Sequence, residues 1–521
     1  MIKGRLAIIG AGSGGLVTLK QAVDQLPGWV IVCLEKGDNT RGIWGNPYPG
    51  FVSTSTKFTT QFSCFRKWNA RVDPADRASM ADFFRGDEYG RYLEEFVEKY
   101  QLRRFIRLHS NVRRIVQDPS GWRLTIDDGN TREDVFDQLI ICTGLVGTAK
   151  SIDTSIPCLR STEPPVTNKT IVVIGGGESG VDVAHRLADP ELGNRVFLSL
   201  KNGVRVSPRY HPIRGVPSDF LRNRLLLSIH QDLRNAIGKK FVEARIRHQE
   251  TFEKFFRSQP DRLDRPASII EKRKFWDARL TERAKDSLFN VFHTKSDQFL
   301  DDVAEDRIHI IGPPQDETHR QYVDFDGGSV LDVNPDLICP MIGYTAGLTN
   351  LSNGKIKVGD FHLGCLHIHH DNLFLVGFTR PIIGNIPTIS EMQAKLVIGM
   401  IARRWKRPCG IENLHARARN KQRREFPSLN TETIYPVEMF PYCDILARLM
   451  EAYPSLRKVG SVSRWLKIQL SPATTMHYVD DDYDAQSIDA HAIHSPPIIT
   501  MLLTLIKLLD WPYRLLKGET E

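Results

Sequence analysis

The chain has 521 residues, 41% of them hydrophobic, which is enough for a buried core in two to four domains. Its net charge of +8 is mild for this length, and no nucleic-acid-binding module signature accompanies it, so we expect no nucleic-acid partner. Eight cysteines occur without a CxxC pair or a zinc-ligand spacing, so we expect no bound metal and the reduced thiols of a cytoplasmic protein.

The first predicted strand, RLAIIG, begins almost at once, and we expect no secretory signal before it. It is followed by GAGSGG, where Gly10, Gly12 and Gly15 have the GxGxxG spacing, and then by the helical sequence LVTLKQAV. The three glycines permit the tight bend, the close approach of a pyrophosphate, and close packing of helix on strand. The next strand, WVIVCLEK, ends at Glu35, whose carboxylate can accept hydrogen bonds from a ribose. This first glycine turn predicts a dinucleotide site.

A second glycine turn repeats the pattern: the strand KTIVVIG is followed by GGGESG, with Gly175, Gly177 and Gly180, and by the helix VDVAHRLAD. The following strand, NRVFLSLKN, carries Ser199 and Lys201 where an acid would otherwise stand. An acid would repel a 2′-phosphate, whereas a hydroxyl and an ammonium group can bind one. We therefore predict that the first turn holds FAD and that the second turn holds NADPH.

The segment after the second turn is predicted to be a helical insert. SIHQDLRNAIGKKFVEARIRHQETFEKFFRS has helical apolar spacing, and Pro260 and Pro266 follow it. Between residues 214 and 295, 19 Lys and Arg stand against 11 Asp and Glu. A solvated helical face is the favoured interpretation of this charge, and an anionic membrane or an acidic small molecule is the alternative.

Later strands close the predicted fold. DVFDQLIICTG (134–144), VNPDLICPMIGY (333–344) and DNLFLVGFTR each read as a strand that ends in small residues, and the last is followed by a long helix. We predict an α/β protein with two Rossmann-type domains, in which the NADP domain is inserted in a discontinuous FAD domain. The expected boundaries are residues 1–165 for the first part of the FAD domain, 166–210 for the NADP core, 211–299 for a helical insert covering the substrate, 300–440 for the remainder of both domains, and 441–521 for a C-terminal helical tail.

Two features near the end of the chain have alternative interpretations. HIHHD at 367–371 is interpreted as a surface turn in preference to a metal site, because no second ligand cluster accompanies it. PPIITMLLTLIKLLDWPYRLLKG (496–518) reads as an amphipathic helix too short and too charged to span a bilayer. Packing of this helix on its own chain is favoured over contact with a membrane.

The order of these pieces resembles the flavin-containing monooxygenases. The resemblance extends from residue 1 to about 480 and includes GAGSGG, LEK, RGIWG (41–45), FVSTSTK (51–57), GGGESG, VFLSLKNG (196–203) and LVGFTRPIIGNIPTISEMQA (375–394). It implies an oxidoreductase in which NADPH reduces FAD, and the reduced flavin captures O2 as a C4a-hydroperoxide that oxygenates a small-molecule substrate. It also implies the role of each matching residue.

By this resemblance the FAD pyrophosphate contacts are Gly10, Gly12, Ser13, Gly14 and Gly15, and Glu35 is the ribose ligand. Ile43 and Trp44 line the flavin. Ser55, the candidate catalytic residue, and Thr56 stand near the isoalloxazine and the nicotinamide. The NADP 2′-phosphate is held by Ser199, Lys201 and Asn202.

The sequence departs from the family at two places. The family has Asn beside the flavin where this chain has Ser55, a shorter side chain with a single donor. The family's FxGxxxHxxx(Y/F) linker is absent from residues 151–170. These departures keep two alternatives to oxygenation open.

One alternative is a single-component brominase, a related branch that oxidises bromide and brominates phenolic acids such as hydroxybenzoates. An anionic aromatic substrate would suit the basic insert. Where the second domain passes into this insert, the candidates for binding a carboxylate are Arg205, Arg209, His211 and Arg214. The other alternative is an NADPH-dependent flavoprotein reductase or oxidase.

Overall fold

We analysed a computed structural model of the chain, which describes residues 2–73, 79–211, 215–251, 265–284 and 293–516. Its α-helices are Ser13–Gln25, Lys57–Thr60, Glu88–Lys99, Glu178–Leu187, Arg224–Leu227, Gln231–Arg247, Ala267–Arg283, Phe299–Ala304, Leu348–Leu351, Ile386–Ile401, Ile411–Glu425, Met439–Leu449, Leu456–Val459, Val462–Leu470, Ala485–Asp489 and Pro497–Leu516. Short 3-10 helices are Gly42–Gly45, Leu102–Phe105, Pro190–Leu192, Ser218–Leu221, Val358–Asp360 and Thr475–His477.

The first sheet has seven strands, and its central strands are parallel. Their apolar runs are buried on both faces, as helix-covered parallel strands require. In spatial order the strands are Phe361–His362, Leu366–His367, Leu373–Leu375, Gln138–Ile141, Arg5–Ile9, Val30–Leu34 and Ile106–Arg107.

The second sheet has six strands and a separate hydrophobic core. Four of its strands are parallel, and an antiparallel extension continues one edge. In spatial order they are Val330–Asp332, Gln321–Asp324, Ile308–Pro314, Arg195–Ser199, Thr170–Ile174 and Leu337–Pro340. All six lie in the chain between the first-sheet strands Gln138–Ile141 and Leu373–Leu375. The predicted α/β fold, with one dinucleotide domain inserted in the other, is confirmed.

Smaller sheets join and cover these two. A three-stranded antiparallel sheet contains Asn111–Asp118, Gly121–Asp127 and Thr131–Phe136. Two-stranded pairs are Val52–Thr56 with Phe83–Arg85, Thr148–Ala149 with Tyr344–Thr345, Val206–Ser207 with Thr294–Lys295, and Thr379–Ile383 with Tyr435–Glu438. The pair at 148–149 and 344–345 lies where the chain leaves the first domain and returns to it.

The insert is helical over much of its described part, as predicted. Leu280, on the helix Ala267–Arg283, is fully buried in the core of the second sheet. A Cβ atom on Gly203 would lie 2.0 Å from the carbonyl oxygen of Leu280, so this helix packs directly on the second domain. The predicted break at Pro260 lies outside the described residues, and Pro266 precedes the second helix as its N-cap.

An acidic stretch near the C-terminus, residues 479–485, is held against the first domain by ion pairs. Lys395 Nζ lies 2.7 Å from a carboxylate oxygen of Asp480 and 2.8 Å from one of Asp482. Cys64, Glu391 and Asp482 could in principle hold a metal ion, but the Lys395 ammonium already neutralises this cluster. Burial raises the pKa of the Cys64 thiol to about 12, which also disfavours a thiolate ligand.

Candidate functional site

The first glycine turn is shaped by direct contact between its own glycines. Gly10 has φ of +97°, a left-handed value that favours glycine, and a Cβ on Gly15 would lie 1.8 Å from the Gly10 carbonyl oxygen. Gly12 is the N-cap of the helix Ser13–Gln25, and no side chain of the described residues caps that helix. Its first N–H groups therefore remain available, at the positive end of the helix, for a pyrophosphate.

Glu35 lies at the tip of the neighbouring strand, beside this turn. Its Oε2 accepts a hydrogen bond from the Ala11 backbone N–H at 2.7 Å, and its Oε1 accepts one from Gly37 N–H at 2.8 Å. These contacts hold the half-buried carboxylate against the turn. The site therefore has the open helix terminus and the adjacent carboxylate that an FAD pyrophosphate and ribose require.

The RGIWG segment lies against the first turn. Gly42 has φ of +56°, and a Cβ added there would lie 3.0 Å from Cα of Gly12. The next residue, Ile43, is 56% exposed, whereas Trp44 packs edge-on against Tyr89, with ring centroids 4.7 Å apart. The two predicted flavin-lining residues are thus placed beside the turn, with Trp44 fixed and Ile43 open to solvent.

Ser55 and Thr56 end the strand Val52–Thr56, and the structure gives them different roles. Ser55 is half-buried. Thr56 is fully buried and caps the helix Lys57–Thr60, because its Oγ1 accepts a hydrogen bond from Thr59 N–H at 3.3 Å. The Thr56 hydroxyl is therefore committed to a helix cap, and Ser55 is the better candidate for contact with the flavin.

Asn385 is a candidate that the sequence reasoning missed. It is the N-cap of the long helix Ile386–Ile401, with its Oδ1 accepting from Thr388 N–H at 3.1 Å. Its Nδ2 donates to the Thr59 carbonyl oxygen at 2.8 Å. One buried amide thus joins the long helix to the segment that follows Ser55. An Asn-Ile-Pro sequence before a helix is an N-terminal capping signal that could have identified it.

Lys295 is a second residue that the sequence reasoning missed. Its buried Nζ donates to the Thr54 carbonyl oxygen and lies 2.6 Å from Oδ1 of Asp219. Asp219 Oδ2 accepts the Thr56 backbone N–H at 3.0 Å. Although burial opposes it, the charge of Lys295 helps hold the pKa of Asp219 below its ordinary value. Nothing in the local sequence HTKSD distinguishes this lysine from a surface lysine.

Arg209 supports the same strand from another side. It is 3% exposed, and its guanidinium donates to the carbonyl oxygens of Ser53 at 3.2 Å and Val52 at 2.9 Å. The hypothesis that Arg209 binds a substrate carboxylate is therefore wrong for this conformation, because its donors hold backbone instead. Arg214, another candidate for that role, lies outside the described residues.

The second glycine turn repeats the geometry of the first. Gly175 has φ of +117°, and a Cβ on Gly180 would lie 2.0 Å from the Gly175 carbonyl oxygen. Gly177 is the N-cap of the helix Glu178–Leu187, and a Cβ there would meet no atom of the described residues within 4 Å. This turn also fits a pyrophosphate. Burial raises the pKa of Glu178, although Arg380 and Lys295 oppose the shift.

The three residues predicted to hold the 2′-phosphate are not equivalent. Ser199 is 3% exposed, and its Oγ donates to the carbonyl oxygen of Gly312 at 2.8 Å. Ser199 is therefore corrected to a sheet-packing residue, because its hydroxyl is used inside the domain. Lys201 is exposed and Asn202 is half-buried just beyond the strand end, where a phosphate can reach them.

Comparisons with known proteins agree with this geometry. The model of the flavin-binding monooxygenase-like family matches residues 3–273. A 4-hydroxybenzoate brominase (decarboxylating) from Marinomonas mediterranea is 22% identical over 87% of this chain and 85% of its own. Flavin-containing monooxygenase 5 of Rattus norvegicus is 27% identical over 48% of this chain and 50% of its own.

Solved structures share the fold. A cyclohexanone monooxygenase with bound epsilon-caprolactone superposes with a TM-score of 0.59 at 16% identity, covering 86% of this chain and 98% of its own. A steroid monooxygenase bound to NADP gives 0.56 at 19% identity, covering 86% and 98%. Since the family model covers more than half of the chain and both nucleotide turns are formed, the chain belongs to the flavin-binding monooxygenase-like family, whose FAD- and NADPH-dependent oxygenase chemistry was the predicted function.

Proposed function

We propose that the NADPH and FAD sites meet at the strand Val52–Thr56 and that the enzyme oxygenates a small-molecule substrate there. Two consecutive residues carry this proposal. Thr294 Oγ1 donates to the Gly176 carbonyl oxygen in the second turn at 3.0 Å, and Lys295 Nζ donates to the Thr54 carbonyl oxygen. These two bonds join the second glycine turn and the strand Val52–Thr56 through one short segment, which supports a shared site for the two cofactors.

When bound, FAD supplies the chemistry: it accepts a hydride from NADPH and, once reduced, activates O2. The chain's own residues bind, orient and shield. Gly12 and Gly177 leave helix N-termini open for the two pyrophosphates, and Glu35 is placed for the FAD ribose. Lys201 and Asn202 are placed for the 2′-phosphate that distinguishes NADPH from NADH. Ser55, a single hydroxyl beside the flavin, would orient the oxygen that is transferred.

The buried Lys295–Asp219 pair fixes the backbone on both sides of Ser55, through Thr54 O and Thr56 N. An oxygenating site must exclude water and keep its reacting groups in register. The buried ion pair holds the strand at the Thr54 carbonyl and the Thr56 N–H, and so keeps the reacting groups in register. We therefore assign Lys295 and Asp219 as positioning residues for Ser55.

A second candidate function is bromination of a phenolic acid. The alignment with the Marinomonas mediterranea brominase covers 87% of the chain, whereas those with the monooxygenases cover from 48% for the rat protein to 75% for dimethylaniline monooxygenase 2 of Mus musculus. Ser55, in place of the family's Asn, is a departure at the reacting centre. In this reaction O2 and NADPH, acting through bound FAD, would supply the two-electron oxidation of bromide to a hypobromous equivalent. Its bromine would replace a ring hydrogen or a carboxyl group, which would leave as H⁺ or CO2.

A product assay separates these functions. Purified enzyme with FAD, NADPH and O2 is offered amines, sulfides and hydroxybenzoates, with and without bromide, and products are identified by mass spectrometry. A gain of one oxygen that does not depend on bromide supports oxygenation. A bromine isotope doublet that needs both bromide and NADPH supports the brominase. NADPH consumption that yields only hydrogen peroxide with every substrate would contradict both and favour the reductase or oxidase alternative.

A further inference from the structure

A hydrogen bond crosses directly from the first domain to the helix Glu178–Leu187 of the second. The Tyr48 hydroxyl donates to Oδ2 of Asp182 at 2.7 Å, and the Asp182 side chain is only 17% exposed. Burial and the neighbouring Asp182 carboxylate raise the pKa of Tyr48, so its hydroxyl stays protonated and acts as the donor. The two partners lie 134 residues apart in the chain, and only the packing of one domain on the other brings them together.

The Tyr48 ring is fixed on the flavin side of the molecule by two other aromatic rings. It packs edge-on against Phe51, with ring centroids 5.4 Å apart, and Phe51 packs edge-on against Trp44 at 5.7 Å. Trp44 is one of the two residues placed to line the flavin. A continuous row of ring contacts therefore runs from the flavin wall to the Tyr48 hydroxyl.

Asp182 lies on the helix whose N-terminus is open for the NADPH pyrophosphate. Gly177 caps that helix, and Asp182 follows five residues later. At 1.5 Å per residue the two positions are separated by roughly 7.5 Å along the helix axis. A helix behaves as a rigid element over so short a length, so a contact that fixes Asp182 also fixes the pyrophosphate position.

The same carboxylate oxygen faces the support of the strand that carries Ser55. Arg209 Nη2 lies 3.8 Å from Oδ2 of Asp182 and donates to the Val52 carbonyl oxygen at 2.9 Å. Burial raises the pKa of the Asp182 carboxyl, while Arg209 and the Tyr48 hydroxyl oppose that shift. The flavin-side loop, the NADPH helix and the Ser55 strand are thus held together around one oxygen atom.

We propose that the Tyr48–Asp182 hydrogen bond positions bound NADPH for hydride transfer to FAD, with both side chains acting as positioning residues through the elements that they join. In this step NADPH gives up a hydride ion and becomes NADP⁺, and FAD takes up that hydride to become its reduced anion. A misplacement of about 1 Å can slow a reaction roughly a hundredfold. This role rests on the proposed function, because it needs a shared site for the two cofactors. It does not depend on whether oxygenation or bromination follows.

The test is reduction of the FAD-loaded full chain by NADPH in an anaerobic stopped-flow spectrophotometer, which requires neither a substrate nor O2. A titration with NADPH gives the limiting rate of flavin reduction and the dissociation constant of NADPH. Tyr48→Phe keeps the ring contacts and loses the hydroxyl. We expect its limiting rate to fall at least about tenfold and its dissociation constant to change less than about threefold.

Two variants test the bond from the Asp182 side. Asp182→Asn still offers an oxygen to the Tyr48 hydroxyl and should keep most of the wild-type rate. Asp182→Ala offers none and should lose about as much as Tyr48→Phe. Because both substitutions remove the same bond, Tyr48→Phe/Asp182→Ala should be no slower than either single variant.

A measurement without turnover accompanies the rates. Added NADP⁺ changes the absorbance spectrum of the bound flavin when the nicotinamide lies beside it, and this change at saturating NADP⁺ should be smaller in Tyr48→Phe than in the wild type. Tyr478→Phe is the matched control, because Tyr478 donates to Asp444 at 2.7 Å, beside Arg224 and outside both glycine turns. It should match the wild type in both the rate and the spectrum.

The proposal is overturned if Tyr48→Phe is reduced as fast as the wild type, or if Tyr478→Phe loses as much rate as Tyr48→Phe. A double variant slowed by the product of the two single effects would also overturn it, since independent effects multiply in this way. If NADPH fails to reduce the flavin of the wild type, the proposed function itself is contradicted, and the role of the Tyr48–Asp182 bond with it.

Discussion

At the scale of single residues, the two N-cap glycines allow a clean test of nucleotide binding. Gly12 and Gly177 have φ of −76° and −73°, which alanine adopts freely. A Cβ on Gly12 would meet only Gly42 Cα, at 3.6 Å, and one on Gly177 would have open space around it within the described residues. Any effect of alanine at either position therefore reports on the ligand and not on the fold.

We expect Gly12→Ala to keep its melting temperature but lose FAD, because the methyl group occupies the pyrophosphate position. Gly177→Ala should keep FAD and raise KM for NADPH about tenfold or more, the effect of losing a charged hydrogen-bond contact. Flavin absorbance, thermal unfolding and steady-state kinetics measure these effects. Gly328→Ala, also in open space, is the control. A Gly12→Ala protein with full yellow colour would contradict the assignment of the FAD site.

Lys201 tests the choice of nicotinamide cofactor at the same scale. Lys201→Glu should raise KM for NADPH by about ten- to a hundredfold, because a charge-assisted hydrogen bond to the 2′-phosphate is replaced by repulsion. KM for NADH should change little, since that cofactor has no such phosphate. Lys169→Glu, at an exposed lysine before the second-sheet strand Thr170–Ile174, serves as the charge control. An equal rise in KM for NADPH and for NADH would contradict the assignment of Lys201 to the 2′-phosphate.

At the scale of elements, the helix that follows the second turn carries a pH-dependent contact. His185, in its last turn, lies 2.6 Å from an Asp302 carboxylate oxygen on the helix Phe299–Ala304. The hydrogen bond to Asp302 raises the pKa of His185, while partial burial opposes the shift. A raised pKa means that the folded state favours the imidazolium. The stability this contact adds is fully present below the unfolded pKa of about 6.5 and is lost as the pH rises through the folded pKa.

His185→Gln should therefore lower the melting temperature at pH 6 by about 1–2 °C, a small effect because the His185 side chain is 43% exposed, although Asp302 is buried. The difference from the wild type should shrink as the pH rises above the folded pKa. Scanning calorimetry across this range measures both. His369→Gln, at a histidine whose contact with Glu412 is exposed to solvent, is the control and should change the melting temperature less. If the difference in melting temperature between the variant and the wild type grew as the pH rose, the raised pKa assigned to His185 would be contradicted.

At the scale of the whole molecule, the Lys295–Asp219 pair joins the inserted domain to the first. Lys295→Met leaves the buried Asp219 carboxylate without its nearest cation, and we expect the free energy of unfolding to fall by about 3–5 kcal/mol. Lys295→Met/Asp219→Asn removes both charges and should recover most of that loss. The double variant should retain FAD but oxidise NADPH more slowly than the wild type, because the Thr54 carbonyl of strand Val52–Thr56 is no longer held by Lys295.

Denaturant unfolding and NADPH kinetics on both variants separate stability from positioning. The partly exposed pair of Arg279 and Asp326, 2.5 Å apart, gives the matched control: Arg279→Met should change neither the free energy of unfolding nor the rate of NADPH oxidation much. A double variant as active as the wild type would mean that the buried pair is structural only.

The sequence by itself determined the two glycine turns, their strand–turn–helix context and the α/β fold with one domain inserted in the other. The turns and their strand–turn–helix context are local: glycine spacing, a capping position and a short apolar run are decided within a few residues of each other. The order of these motifs along the chain also predicted the family and its two cofactors, FAD and NADPH.

Only the tertiary structure decided which polar side chains remain available to a ligand. Ser199, Thr56 and Arg209 were plausible ligands by position, but each uses its hydrogen-bonding groups inside the fold. Lys295 and Asn385, from distant parts of the chain, bond to the backbone on either side of Ser55. The charged side of the C-terminal helix likewise found partners near Ser228, which left its leucines outside. Burial and pairing arise from contacts between segments hundreds of residues apart, and no local pattern encodes them.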